Sequence, residues 1–149
     1  MLKHVWSVLC ERVSVDRHTN LCSYLSCIEA VTTKNLPAVM QSLTYGCRWN
    51  KDDDPKEVLK VKLIVISPDG KEIPLVESAE SVIERKNHRL NIILDGMSFK
   101  HAGVYTFRLK RNIDGKWSKV HDTPLSVVLK GADKEVDKFG EKSKKVKKK

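Results

Sequence analysis

The side chains in this sequence best equipped for chemistry are His18, Cys22 and Cys27, the run Asp52, Asp53, Asp54, and histidines at positions 4, 88, 101 and 121. A thiolate and imidazole set is the chemistry of zinc, but structural zinc sites take Cys pairs roughly two to four apart with a matching second pair. Neither Cys10 nor Cys47 completes that pattern. The ordinary reading is a loop histidine beside two strand cysteines. Consecutive carboxylates are the chemistry of calcium, which takes roughly six to eight oxygens and would need a second loop, such as one carrying Asp95 or Asp114. "NKDDDPKE" is also an ordinary polar connection, flanked by Lys and stopped by Pro55. The sequence contains no Ser-His-Asp order, nucleophile elbow or glycine-rich phosphate loop. The expectation is a protein that is not an enzyme and holds no cofactor, with a calcium or zinc site as a remote alternative.

The basic residues suggest a different activity. Among 149 residues Lys and Arg number 28 against 19 Asp and Glu, a net charge of +9. Residues 130–149 hold nine Lys against Asp133, Glu135, Asp137 and Glu141, so more than half the excess sits in that stretch. Residues 131–149 read as a Lys-rich flexible tail that ends in Lys144, Lys145, Lys147, Lys148 and Lys149. Such a tail attracts nucleic acid or an anionic surface without sequence preference, through counterion release. Within the preceding domain, Lys60, Lys62, Arg108 and Lys110 fall on outward strand positions, and "ERKNHR" adds Arg85, Lys86 and Arg89. If the two outward stripes share a sheet, they form a basic face. Surfaces that bind nucleic acid also use exposed aromatics, and this chain has nine aromatic residues, several of them at inward positions.

Positioning those side chains requires strands. "HVWSVLCERVSVD" (4–16), "CSYLSCIEAV" (22–31), "PAVMQSLTYGCRW" (37–49), "VLKVKLIVIS" (58–67), "IPLV", "RLNIIL", "GVYTFRL" and "TPLSVVL" are short apolar runs separated by turn residues. Several alternate with period two: Val39, Leu43, Tyr45, Cys47 and Trp49 are expected on one face, and Leu90, Ile92 and Leu94 on another. "PDGKE" and "NIDGKW" supply hairpin turns. No window keeps a helical period, so residues 1–130 read as one all-β domain, an antiparallel β-sandwich of seven or eight strands.

"HAGVYTFRLK" narrows the architecture. It resembles the tyrosine corner of immunoglobulin-like sandwiches, in which a Tyr near the start of the penultimate strand bonds back to upstream backbone. The resemblance makes Tyr105 the corner residue, with Gly103 allowing close approach and Phe107 standing where antibody domains carry a Cys. The implied fold is immunoglobulin-like or C2-like, with Tyr105, Phe107 and Leu109 inward.

A second resemblance rests on "SVLCERVSVDRHTNLCSYLSCIEAV". It is similar to the opening of an uncharacterised bacterial family with a Leu-Cys-acidic motif, matched here by Leu9, Cys10 and Glu11, followed by Val13, Val15, Leu25 and Ile28. The resemblance implies an all-β cytoplasmic domain of unknown biochemical role. "MLKHVWSVLC" begins as an export signal would, but charges follow at Glu11 and Arg12, and no apolar run is long enough to span a bilayer. The chain therefore reads as soluble and cytoplasmic, with free thiols. The expected function is a β-sandwich interaction module that binds an unidentified protein partner through loops or a strand edge. Nucleic-acid binding through the basic face and tail is the alternative.

Overall fold

Apolar residues recur at every second position over much of this chain, and the strand is the conformation that sends alternate side chains to one side. The computed structural model describes residues 1–53 and 56–131. Within them lie eleven strands: β1 (Leu2–Val15), β2 (Cys22–Cys27), β3 (Ala30–Thr33), β4 (Ala38–Lys51), β5 (Glu57–Leu59), β6 (Val61–Ile66), β7 (Glu72–Glu77), β8 (Ser81–Ile83), β9 (Asn87–Phe99), β10 (Gly103–Ile113) and β11 (Lys116–Leu129). The Lys-rich segment from 132 to 149, with Lys144, Lys145, Lys147, Lys148 and Lys149, lies outside the described residues, as does Asp54.

The strands form a sandwich. One sheet has the order β2-β1-β4-β9, the other β3-β11-β10-β6-β7, and β5 and β8 make a separate ribbon. Between the two large sheets lies one core, with Leu9, Leu43, Tyr45 and Trp49 from the first sheet meeting Leu63, Phe107, Leu109 and Leu125 from the second. The neighbours β1-β4-β9 and β11-β10-β6 correspond to the A-B-E and G-F-C strands of an immunoglobulin-type sandwich. No helix among the described residues is long and apolar enough to cross a membrane.

The strand count exceeds the expected seven or eight for local reasons. The run 22–31 divides at Ile28 and Glu29, beyond which β3 leaves β2 and pairs with β11. That pairing is parallel; every other ladder among the described residues is antiparallel. The run 58–67 divides at Lys60, where the chain passes from the β5-β8 ribbon into the large sheet. The three-residue strand β8 is too short to show a period.

Position 39 corrects one expected face. Val39 is 62% exposed, whereas Leu43, Tyr45, Cys47 and Trp49 are buried. In β9, Gly96 has a φ of 71°, a left-handed conformation that glycine adopts without steric cost. Inward positions change there from even (Ile92, Leu94) to odd (Met97, Phe99). β4 changes parity at the same level, around Gln41 and Ser42, so the register from Ala38↔Phe99 to Asn50↔Asn87 is unbroken. A paired irregularity turns Val39 outward without cost to the ladder.

At the crossing from β9 to β10, the Tyr105 hydroxyl donates to the His101 carbonyl at 3.1 Å and accepts from the His101 N–H at 3.0 Å. The Tyr105 ring meets Phe99 edge-on, with centroids 4.9 Å apart. Gly103, with a φ of 126°, comes so close to Pro68 that a Cβ would sit 2.9 Å from the proline Cβ. The chain thereby crosses between sheets in a tight loop.

β1 serves two partners. Leu2 to Cys10 pairs with β4, and Cys10 to Val15 pairs with β2. The β1-β2 turn is built on Asp16, whose carboxylate accepts from the N–H groups of His18 and Thr19 at 2.8 Å. Rather than projecting away, the hairpin lies back over the outer face of β4 and β9. The Tyr24 hydroxyl donates to Asn91 Oδ1 at 3.1 Å, the Tyr24 ring meets Trp6 edge-on at 5.1 Å, and Arg89 Nη1 donates to the Asn20 carbonyl at 3.3 Å. Beneath Tyr24 is Gly46, where an added Cβ would stand 2.4 Å from Tyr24 Cε1.

Two stability outcomes follow. Tyr105→Phe should cost about 1 kcal/mol or more in denaturant unfolding, because the part-buried corner loses a partner for both backbone groups of His101; an unchanged midpoint would show that the hydroxyl does not hold the corner. Gly46→Ala should cost about 1–3 kcal/mol by overpacking. Adding Tyr24→Ala should make the double variant more stable than additivity allows, and strict additivity would refute the close approach.

Candidate anion-binding surfaces

The outer face of the five-stranded sheet collects four of the basic residues expected to act, Lys60, Lys62, Arg108 and Lys110. Lys62 on β6 stands directly opposite Lys110 on β10, and Lys110 opposite Lys119 on β11. The two stripes do share a sheet and are adjacent. Along the row, Lys62 and Lys60 place their ammoniums 3.6 and 3.2 Å from Glu77. Arg108 grips Asp122 with two hydrogen bonds of 2.8 and 2.9 Å, which hold that carboxyl below its ordinary range, and Lys119 reaches the same carboxylate at 3.5 Å. Four cations therefore share Glu77 and Asp122, and Lys110, in the centre, has no ion-pair partner among the described residues.

Trp117 completes this face and was not singled out by the sequence reading. It pairs with Asn112 on the outward side of β11, and the ammoniums of Lys62 and Lys60 lie 5.3 and 5.8 Å from its ring centroid. The signal is hidden by a bulge between Lys119 and His121 that shifts the alternation of β11 by one residue. Farther along the same face Val104 and Val128 are 53% and 40% exposed.

The remaining basic residues lie elsewhere. Lys86 binds Asp53 at 2.7 Å, and Asp52 is taken by Lys3 and the N-terminal ammonium. Arg85 and Arg89 line a cleft of about 490 Å³ between the β1-β2 turn and the start of β9, with Asn87, His88 and Asn91. Arg48, another residue that sequence reasoning passed over, pairs with Arg89 across β4 and β9 and donates from Nη2 to Asn87 Oδ1 at 2.9 Å.

Among the described residues no three His, Cys, Asp or Glu side chains converge on a point that could hold a metal. All four cysteines are free thiols, Cys10 and Cys27 standing opposite each other on β1 and β2. Burial pushes the Cys47 thiol up to about 11 against the opposing hydrogen bond from Trp49, the reverse of what a nucleophile needs.

A polar group also joins the two sheets at their β1 and β11 side. His4 shares a 2.7 Å hydrogen bond with Ser7, stacks on His121 at 5.0 Å and meets Trp49 edge-on at 5.4 Å. Burial pushes the Tyr45 phenol up to about 12; the hydroxyls of Ser7 and Thr123 oppose that shift, but neither gives Tyr45 a well-formed hydrogen bond. A hydroxyl beside an imidazole is a nucleophile-base pairing, but Asp122, next to His121 in sequence, faces the opposite side of its strand on Arg108. Desolvation, then the neighbouring His121, lowers the His4 pKa from its ordinary 6.5, and burial lowers that of His88. Both imidazoles are held neutral by the fold, so the stability they contribute is complete above 6.5 and is lost as pH falls from there through their lowered values. The carboxylates with depressed values start from 4.5 or below and titrate under that window. The thermal midpoint should fall between about pH 7 and pH 5, and His4→Gln with His88→Gln should flatten that slope; an unchanged slope would assign it elsewhere.

Comparison with known proteins adds little to this geometry. No curated protein matches the chain. Among solved structures, that of a beta-glucosidase from Listeria innocua in complex with gluconolactone aligns with 87% of this chain and 16% of its own, at 9% identity and a TM-score of 0.38. Over residues 5–128, nearly the whole described domain, the sequence fits the model of one family, and the chain belongs to it: the Family of unknown function (DUF6941).

Proposed function

We propose that this domain is a non-enzymatic, cytoplasmic interaction module that holds an acidic protein segment on the outer face of its five-stranded sheet. The observation that carries the reading is the row Lys119, Lys110, Lys62 across three adjacent strands. Like charges directly opposite one another destabilise a sheet. Two shared carboxylates offset part of that repulsion, and an anionic partner over Lys110 would offset the rest.

The apolar part of the face favours a protein partner over nucleic acid. Val104 and Val128 offer exposed aliphatic surface farther along the same face. Sheets that bind nucleic acid stack bases on several aromatics, whereas the Trp117 ring on this face is already approached by Lys60 and Lys62. Free thiols throughout the described chain suit a reducing compartment.

The edges of the sheet favour its face as the contact. Pro74 in β7 lacks an N–H and a register shift interrupts that strand, two features that discourage strand addition. At the opposite edge β3 is four residues long.

The test is to select peptides from a displayed random library on the full-length protein, and to titrate the protein in parallel with a random single-stranded oligonucleotide. Selected peptides should be rich in Asp and Glu with an apolar anchor. Lys110→Glu should weaken them by about tenfold or more, about 1.4 kcal/mol, while Lys110→Arg retains binding. If the oligonucleotide binds more tightly than any selected peptide and loses affinity with Lys110→Glu, the face is a nucleic-acid surface and the protein reading is wrong.

A further inference from the structure

The cleft between the β1-β2 turn and β9 is lined by two arginines and the amides of Asn87 and Asn91, with Thr19, Asn20 and His88 beside them. Asn87, Arg89 and Asn91 occupy successive outward positions of β9, so their side chains share one floor. Each is tied down by a different element. Asn87 Oδ1 accepts from Arg48, Asn91 Oδ1 accepts from Tyr24, and Arg89 donates to the carbonyl of Asn20. Each amide oxygen already accepts one hydrogen bond, whereas the NH₂ groups of Asn87 and Asn91 donate none among the described residues and are free to bind a ligand.

Charge accumulates on the same floor. Arg48 and Arg89 are direct cross-strand neighbours, Arg85 stands at the rim without an ion-pair partner among the described residues, and no carboxylate lines the cleft. The guanidiniums of Arg85 and Arg89, which line the cleft, match the several acceptor oxygens of a phosphate dianion.

The volume of about 490 Å³ exceeds what a bare phosphate fills and falls in the range of small-molecule sites. On the hairpin side the cleft is walled by Val15 and Leu21, exposed at 49% and 62%. An aliphatic wall opposite a floor of donors suits a ligand with one apolar or aromatic end and one anionic end.

We propose that this cleft binds a small phosphate monoester, its phosphate on Arg85, Arg89 and the amides of Asn87 and Asn91 and its organic body against Val15 and Leu21. The site lies on the outer face of the first sheet, across the sandwich from the Lys110 row, so it stands or falls separately from the acidic-segment reading.

The probes are inorganic phosphate, adenosine monophosphate and adenosine, titrated into the full-length protein and followed by calorimetry and by backbone NMR shifts. Phosphate should bind weakly and the monophosphate more tightly, both moving residues 15–22 and 85–91, while adenosine alone should leave them in place. Arg85→Gln, at an unpaired rim residue, should reduce monophosphate affinity about tenfold with the melting point unchanged. Arg89→Lys, which keeps the charge but loses the planar fork, should also weaken it. Lys110→Glu should leave it unaffected. The proposal is overturned if neither phosphate probe moves those residues, if adenosine binds as well as its monophosphate, or if Arg85→Gln and Arg89→Lys bind like the parent.

Discussion

The arrangement of the first sheet depends on one steric fact: the Tyr24 ring occupies the space that any side chain at position 46 would need. A strand normally carries a side chain at each outward position, and a row of them would hold the β1-β2 hairpin away from the sheet. Gly46 leaves a gap in that row. Through it Tyr24 lies flat enough to reach Asn91, two strands beyond β1. Once the hairpin is down, its turn faces the start of β9 and closes a cleft over Arg89. Without the gap, Asn87, Arg89 and Asn91 would be an ordinary solvated strand face, with their donors in water.

Both outer faces of the sandwich place like charges on neighbouring strands, Arg48 against Arg89 on one and Lys119, Lys110 and Lys62 on the other. Surface ion pairs and repulsions are individually small, of order 1 kcal/mol or less, and salt screens them. The core of buried Trp49, Tyr45, Phe99 and Phe107 carries the fold, so it can tolerate such repulsion on its outer surfaces. The two faces differ in physical character. The lysine row is open, and flexible ammoniums can reorganise around a chain of carboxylates. The arginine floor is partly covered, its side chains are fixed by named partners, and its donors are planar and directional.

Much of the fold was legible because burial and strand period coincide. Tyr105, Phe107 and Leu109 alternate strictly, and all three are buried. The hairpin signals at "PDGKE" and "NIDGKW" join β6 to β7 and β10 to β11. Legibility failed wherever one residue broke the period. Gly96 reversed the inward set of β9, and the bulge in β11 placed Trp117 and Lys119 on the face of the lysine row. A single inserted residue inverts every later assignment on a strand, and apolar residues on both sides of the break leave no pattern to reveal it. Of the candidate sites, Lys60, Lys62, Arg108 and Lys110 could be proposed because outward strand positions are local information. Arg48 and the two asparagines could not, since what distinguishes them is which side chain spends its acceptor on which neighbour.

That distinction also explains why motif reasoning found no chemistry in a chain with two plausible binding surfaces. Sequence motifs are recognisable when one loop supplies most of the ligands at fixed spacing, as in a phosphate loop or a zinc knuckle. Here the floor of the cleft comes from every second residue of a strand, its supports from Arg48 and Tyr24 on two others, and its wall from the hairpin between Val15 and Cys22. Each asparagine is oriented only because a tyrosine in one case and an arginine in the other holds its oxygen. The site is a property of the folded-back hairpin as a unit, and that unit is specified by a missing side chain at Gly46 more than by any residue that touches a ligand.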